Sequence, residues 1–347
     1  MTSQPVQPLI SVVIPNYNGA AFLEGCLSSL LRQTYARIEL VVVDNASSDA
    51  SVEVVLRVAP GAVLLRKERN LGFAGGANAG FRAAHGEWIA VLNNDAEVAP
   101  DWLAECAHAM ERHPEAAYLA CRILDFNERD RIFSAGDCLL RAGIGYRRGQ
   151  DLKDRQDYRQ ETEIFAASGC AALYRKCVLD EANGYDERFF AYLEDVDLAL
   201  RLQAAGYRGW YVPRAEVYHL GGATSGGEFS HLAARLRTRN SILLLIKSVP
   251  ACIFWRCYTR IAAAQLAWLA RVIAHGRVWS YLRGLAGVVP LLPVMLKERR
   301  RLRVLWRTSA DSLWQAILRS EALARRDFAA PSPEQASTFL KWYFRLS

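Results

Sequence analysis

The polar break Leu92-Asn93-Asn94-Asp95 closes the apolar run Glu87-Trp88-Ile89-Ala90-Val91-Leu92. A carboxylate flanked by amides at the carboxyl end of a buried strand is placed to hold a divalent cation against a phosphate. Some 100 residues further on stands a second acidic cluster, Glu194-Asp195-Val196-Asp197, followed by the isolated His219. Carboxylates and an imidazole of this kind can divide two tasks, one set holding a metal and another carboxylate removing a proton. The residues are far apart in sequence, so a sheet must bring them to one edge.

The first hundred residues supply such a sheet. Leu9 to Pro15, Ile38 to Asp44, Ala62 to Arg66 and Glu87 to Leu92 are short Val/Ile/Leu-rich runs with little alternation, as expected of parallel strands covered on both faces. Between them Ala20 to Gln33, Ser48 to Val58 and Ala74 to Ala84 have helical spacing, and Ser47-Ser48-Asp49 offers side-chain oxygens to start a helix. The alternation predicts an open α/β fold. Pro100 to His113 reads as a further helix. From Ala117 to Gly169 the rhythm breaks into short strands and a polar insert, Arg147 to Gln160, expected to be a mobile loop. Ala171 to Arg175 reads as a strand, Asp195 to Ala205 as a helix, and Gly209 to Val212 and Ala215 to His219 as two short strands separated by Pro213.

Beyond Gly227 only helices are expected: His231 to Lys247, Pro250 to Ala274 and Val278 to Leu296. The net charge of +7 is concentrated here, with eleven Lys/Arg against the single Glu298 between Pro250 and Arg307. That makes the basic character a property of this segment and not a nucleic-acid signature. No window offers roughly 20 uninterrupted apolar residues, so a membrane span is not expected. The Trp, Leu and Arg mixture, with Lys297-Glu298-Arg299-Arg300-Arg301-Leu302-Arg303, fits helices lying on an anionic membrane surface or packing on protein, including a second copy of the chain. Beyond Ala329 a Pro-Ser-Pro tail is expected to fray, with Phe339, Trp342, Tyr343 and Phe344 available to dock. The eight cysteines lack any Cys-x-x-Cys, which argues for a reducing compartment. The start lacks a signal peptide, which makes the cytosol the expected location.

Two nucleotide-binding readings fail on spacing. The stretch Asn70-Leu71-Gly72-Phe73-Ala74-Gly75-Gly76-Ala77-Asn78-Ala79-Gly80 is not G-x-G-x-x-G and follows the third strand, and no G-x-x-x-x-G-K-[ST] occurs. The remaining strand ends are Pro15-Asn16-Tyr17-Asn18-Gly19 and Asp44-Asn45, at the same sheet edge. Asp44 can accept from a base imide N–H or cap the next helix, and Asp197 pairs with Arg201 at i, i+4. Glu194 beside Asp195 disfavours a second anion and raises the proton affinity of Asp195.

In this order the motifs resemble the inverting family-2 glycosyltransferases with the GT-A fold, in the rhamnosyltransferase-like branch. The resemblance runs from Ile10 to Lys247 and is carried by Val12 to Gly19, Val43 to Asp49, Asn70 to Gly80, Leu92 to Asp95, Gly169, Tyr192 to Leu198 with Arg201, and His219 to Ser225. It implies an open mixed, mostly parallel sheet in a catalytic domain of residues 1–245, followed by a basic helical extension, 246–347. It also implies that Pro15, Asn16, Tyr17, Asp44, Asn70, Gly72, Asn78, Asn94 and Asp95 bind the nucleotide sugar. Asp95 and His219 would hold Mg²⁺ or Mn²⁺, Asp195 would be the catalytic base, and Gly169 and Glu194 would meet the acceptor.

The implied reaction is non-processive transfer of a sugar, rhamnose from dTDP-rhamnose or a hexose from a UDP-hexose, onto a growing cell-surface glycan or lipid-linked glycan at the inner membrane face. Asn93 departs from the family's D-x-D and removes one charged ligand, which makes a catalytically silent nucleotide-sugar-binding scaffold the rival. The Q-x-x-R-W motif of processive relatives such as cellulose and hyaluronan synthases is absent from the C-terminal half.

Overall fold

A computed structural model of the chain describes residues 7–222, 227, 229–328 and 338–346. The four apolar runs are strands β1 (Ile10–Asn16), β2 (Ile38–Asp44), β3 (Val63–Arg66) and β4 (Trp88–Leu92), connected by α1 (Ala20–Leu31), α2 (Ser51–Val58) and α3 (Gly72–Ala83). They pair in parallel in the order β3-β2-β1-β4. Residues of β1 and β4 point into two apolar clusters, one on each face of the sheet, which is why neither strand alternates. Asp49 lies just ahead of α2 and serves two helices at once: one oxygen accepts from Ser51 N at 3.1 Å, the other from Ala20 N at 2.9 Å.

After β4 come β5 (Ala96–Val98), α4 (Trp102–Arg112), β6 (Ala116–Asp125), β7 (Ile132–Ser134), β8 (Asp137–Leu139), β9 (Gly145–Arg147), β10 (Thr162–Ile164) and β11 (Ala171–Arg175). Next follow α5 (Lys176–Ala182), α6 (Glu194–Ala204) and β12 (Arg208–His219). The sheet continues β4-β11-β6-β12-β10. β11 runs antiparallel to both neighbours, and β6 and β12 are parallel. The sheet is therefore open and mixed, and four of the seven neighbouring pairs along its main path are parallel.

Two expectations are corrected. Gly209 to Val212 and Ala215 to His219 are one strand, β12, and Pro213 sits where the register against β6 slips between Val212 and Glu216. A bulge demands no ladder amide at that position, which is what proline needs. The insert 147–160 is built in and is not a mobile loop. Asp327 is wholly buried and accepts from Tyr146 Oη (2.9 Å), Tyr158 Oη (2.8 Å) and Gly149 N. The hydrogen bonds of the loop are thus answered by a residue about 170 positions away.

The C-terminal helices are α7 (His231–Lys247), α8 (Ala251–Ala274), α9 (Val278–Ala286), α10 (Leu292–Leu305), α11 (Ala310–Arg325) and α12 (Thr338–Leu346). The expected Pro-Ser-Pro tail lies outside the described residues. Of the aromatics beyond it, Tyr343 and Phe344 are buried, with Tyr343 Oη donating to Glu321 at 2.6 Å, while Trp342 is half exposed. The region α9 to α10, Val278–Leu305, spans 28 residues and is long and apolar enough by length and composition to cross a membrane, so the expectation that nothing in this segment could span is amended. One face of it nevertheless packs on protein, with Met295 fully buried and Arg299 donating to the Ile246 carbonyl at 2.6 Å.

The expected boundary at 245 falls inside α7, two residues before a buried cation. Lys247 Nζ lies 2.7 Å from both Asp186 and Asp197, and Asp197 also takes Arg201 Nε at 3.0 Å and Ser248 Oγ at 2.6 Å. Burial would push the Asp186 carboxyl up, but Lys247 and Arg188 outweigh it and hold it down at about 2. Removing one partner of such a set leaves charge buried without compensation, at about 3–5 kcal/mol. Lys247→Met should therefore lower the urea unfolding free energy by about that much, whereas a loss below about 1 kcal/mol would rank the cluster with surface pairs. The depressed Asp186 value makes its contribution fully present above pH 3.8 and lost as pH falls towards 2, so this acid-sensitive component should be smaller in Lys247→Met, where Arg188 remains on Asp186, than in wild type.

Candidate active site

Reversal of β11 brings the distant residues together. Because β11 is antiparallel to β4, its first residues meet the last of β4: Ala171 pairs with Leu92, and Asn93 N donates to Cys170 O at 2.8 Å. On the other side, β5 pairs with the end of β12 so that His219 stands opposite Ala96, and Leu220 N donates to Asp95 O at 3.1 Å. Three chain segments, ending at Asp95, beginning at Gly169 and ending at His219, therefore share one sheet edge.

Asp95 and His219 meet directly, with Oδ1 and Nε2 3.1 Å apart and both side chains almost fully buried. Asn93 Nδ2 lies 3.2 Å from the same Nε2, and His219 Nδ1 is buried without a partner. Were the ring proton on Nδ1, the single Nε2 lone pair and the Asp95 carboxylate would be two acceptors that a hard cation could join in place of the Asn93 contact; with the proton on Nε2, the ring donates to Asp95. No group of three or more His, Cys, Asp or Glu placed to hold a metal ion occurs among the described residues. A cation held by this pair would have two protein ligands and would take its other oxygens from a diphosphate and water.

Asp195 opens α6 and is held by amides: Gly169 N donates to Oδ2 at 3.1 Å and Val196 N to Oδ1 at 2.8 Å. Burial raises its proton affinity, while these amides and the Arg147 charge oppose the rise. The cause differs from the expected one, since it is Glu194 that carries the cost of the paired carboxyls. Glu194 is pushed well above the usual carboxylate range by burial and next by Asp195, and its Oε2 has no partner. Gly169, expected at the acceptor, donates its amide to Asp195. The segment before Asp195 is strained: Phe190, Tyr192 and Leu193 have φ of 66°, 70° and 68°, a conformation non-glycine residues hold only when their surroundings enforce it.

The β1 and β2 ends form a connected polar floor. Asn94 Nδ2 donates to Asn16 Oδ1 at 2.6 Å, Asn16 Nδ2 to Ser47 Oγ at 3.2 Å, and Ser47 N to Asp44 Oδ2 at 3.3 Å. Gly19 makes room for it, because a Cβ there would sit 2.0 Å from Asn94 Nδ2. Pro15 is buried and Tyr17 exposed above it. Asn70 Oδ1 accepts from Gly72 N at 2.8 Å, and Gly72, at φ +73°, approaches Phe190 O so closely that a Cβ would lie 2.4 Å from it. Asn78 departs from its expected role: its amide is spent on Tyr185 N (2.9 Å), Tyr185 O (2.8 Å) and Glu187 (3.1 Å), which makes it a brace for the chain after α5. His219 to Ser225 is described only to Gly222.

Sequence reasoning missed Arg147 and Asp137 as site residues. They face one another across the β8–β9 pair. Burial and then the Asp195 charge push Asp137 up to about 7, and Arg147 lowers both carboxyls. The Arg147 guanidinium lies 4.3 Å over the Phe133 ring, which meets His219 edge-on at 4.4 Å. Nothing in an Arg/Asp-rich run distinguishes this one arginine; only the hairpin register does.

Residues 11–182 match Glycosyl transferase family 2. The chain is 29% identical over 249 residues to the N-acetylglucosaminyl-diphospho-decaprenol L-rhamnosyltransferase of Mycobacterium tuberculosis, covering 65% of this chain and 81% of that one. It is 30% identical over 239 residues to the uncharacterised protein y4gI of Sinorhizobium fredii, covering 64% of this chain but a quarter (25%) of that much longer one. In fold it is similar to the mannosyltransferase PcManGT of Pyrobaculum calidifontis, solved with GDP-Man and Mn²⁺, at a TM-score of 0.52 and 18% identity over 93% of this chain and 87% of that one.

The Asp95 and His219 pair can be probed without turnover. Mn²⁺ titrated in the presence of UDP should bind His219→Ala about tenfold or more weakly than wild type, roughly 1.4 kcal/mol; equal affinity would remove His219 from the ligand set.

Proposed function

With residues 11–182 placing the chain in glycosyl transferase family 2, we propose that it moves one sugar from a nucleoside diphosphate to an acceptor hydroxyl by single displacement with inversion. The observation that carries this reading is the convergence of Asp95, His219 and Asp195 on one sheet edge, with the metal half-site and the base on different segments. The Asp195 carboxylate takes the acceptor's hydroxyl proton while that oxygen bonds to the anomeric carbon. The bond from this carbon to the diphosphate breaks, and its electron pair leaves with the nucleotide. Mg²⁺ or Mn²⁺, held by Asp95 and His219, would neutralise charge on the departing phosphates. Asn16, Asp44 and Asn94 line the floor on which the nucleotide sits, and Arg147 adds a cation on the acceptor side.

The donor in this reading is dTDP-rhamnose and the acceptor a lipid-linked glycan, supported by the similarity to the mycobacterial rhamnosyltransferase. Its site of action is the inner face of a membrane. Trp255, Trp279 and Val289 stand about two-thirds exposed on α8 to the start of α10, and Arg300, Arg301 and Arg303 are exposed on α10. Aromatic and apolar groups beside cations suit a headgroup layer.

Asp195→Asn should abolish transfer while dTDP-sugar binding, measured by calorimetry, stays near wild type; full turnover would remove Asp195 as the base. Because burial raises the Asp195 proton affinity, the acid limb of kcat/KM should lie above the unperturbed value of 3.8 and activity should fall as pH drops through it. Reversing Arg300 and Arg301 together to Glu should weaken sedimentation with phosphatidylglycerol vesicles by about 30-fold or more, at about 1 kcal/mol for each cation lost. Unchanged sedimentation would contradict docking through α10.

A further inference from the structure

The strained segment before Asp195 is held by two neighbouring side chains of α7, outside the family-matched residues. Asn240 is fully buried, and its Nδ2 lies 2.9 Å from Phe189 O, 2.8 Å from Ala191 O and 2.7 Å from Tyr192 O. Two N–H groups are thus shared among three carbonyls of the turn that contains Phe190, Tyr192 and Leu193. Arg239 fixes the orientation of this amide: its Nε donates to Asn240 Oδ1 at 3.0 Å while Nη2 donates to Arg188 O and Phe189 O, both at 2.9 Å. From the opposite side, Ala74 N in α3 donates to Phe190 O at 3.0 Å, next to Gly72. The turn is therefore clamped between the glycine-rich helix and α7, and it runs straight into Glu194 and Asp195.

We propose that Asn240 is a positioning residue for transfer, holding the 189–192 carbonyls so that the Asp195 carboxylate is aimed at the acceptor hydroxyl. This rests on Asp195 being the base. A left-handed non-glycine residue persists only where contacts over-determine it. The amide of Asn240 supplies such contacts without touching either substrate. Without them the turn relaxes towards ordinary dihedrals and the first residues of α6 rotate, while the strand-end floor under the nucleotide keeps its own hydrogen bonds. The effect belongs in kcat and not in donor affinity.

The test compares Asn240→Ala, Asn240→Ser and Asp195→Asn for kcat, donor KM, nucleotide binding and thermal unfolding. The serine variant keeps one donor and less bulk, and it preserves the readout should the alanine variant fold poorly. Expected are a kcat at least 30-fold lower in Asn240→Ala, a smaller loss in Asn240→Ser, and donor KM and nucleotide affinity within about threefold of wild type. Wild-type kcat in a folded Asn240 variant, or a loss appearing only in donor KM, overturns the positioning role while Asp195→Asn stays inactive. Should Asp195→Asn itself turn over at the wild-type rate, the base assignment fails first, and the proposal with it.

Discussion

Everything at the site depends on one strand running the wrong way. Four parallel strands alone would deliver Pro15, Asp44 and Asp95 to a common edge, as open α/β sheets do. They would leave Asp195 without an address there. Inserting β11 antiparallel between β4 and β6 puts its first residues at the carboxyl end of β4, where Asn93 N bonds to Cys170 O. Gly169, one residue earlier, then donates to Asp195. A single reversal of direction thus ties Asp195 to the edge that carries Asp95, and the parallel β12 beside β6 returns His219 to the same place.

The polar groups of this edge are arranged by cost. Asp195 is half-buried and answered by two backbone amides, which keeps a carboxylate tolerable in a partly desolvated position. Glu194, whose Oε2 has no partner, is pushed well above the usual carboxylate range by burial and next by Asp195. Asp197, three residues on from Glu194, is answered by Lys247, Arg201 and Ser248 and is locked into the framework. Three acidic residues in one helical turn therefore have three settings fixed by their partners: a carboxylate held by amides, a carboxyl pushed up by burial, and an anion paired with cations. Two partners of Asp197 lie on or just beyond α7, so the helical C-terminal region takes part in holding α6 and is not a mere appendage.

The sequence made the first half of the fold readable because strands buried on both faces are continuous apolar runs, and β1 to β4 begin or end within a residue of those runs. Asp95, Asp195 and His219 stood out in the sequence for a related reason: each stands where an apolar pattern stops. What stayed hidden was non-local. β5 has three residues and no pattern of its own, yet its pairing aligns His219. Pro213 read as a strand break because a bulge leaves no mark in composition. The insert 147–160 looked mobile because Asp327, which orders it, lies some 170 residues away. Asn78 looked like a ligand residue, and only the contact with Tyr185 revealed a brace.

The central claim is that this edge transfers sugar with a cation on the donor's phosphates and Asp195 on the acceptor. The most direct measurement is release of nucleoside diphosphate from dTDP-, UDP- and GDP-sugars, with and without a lipid-diphosphate-linked sugar acceptor, in Mn²⁺ and then in EDTA. The account predicts acceptor-dependent release from one donor class, abolished by EDTA and by Asp95→Ala. Release that is indifferent to chelation and to Asp95, or none from any donor with the acceptor present and nucleotide bound, would contradict it.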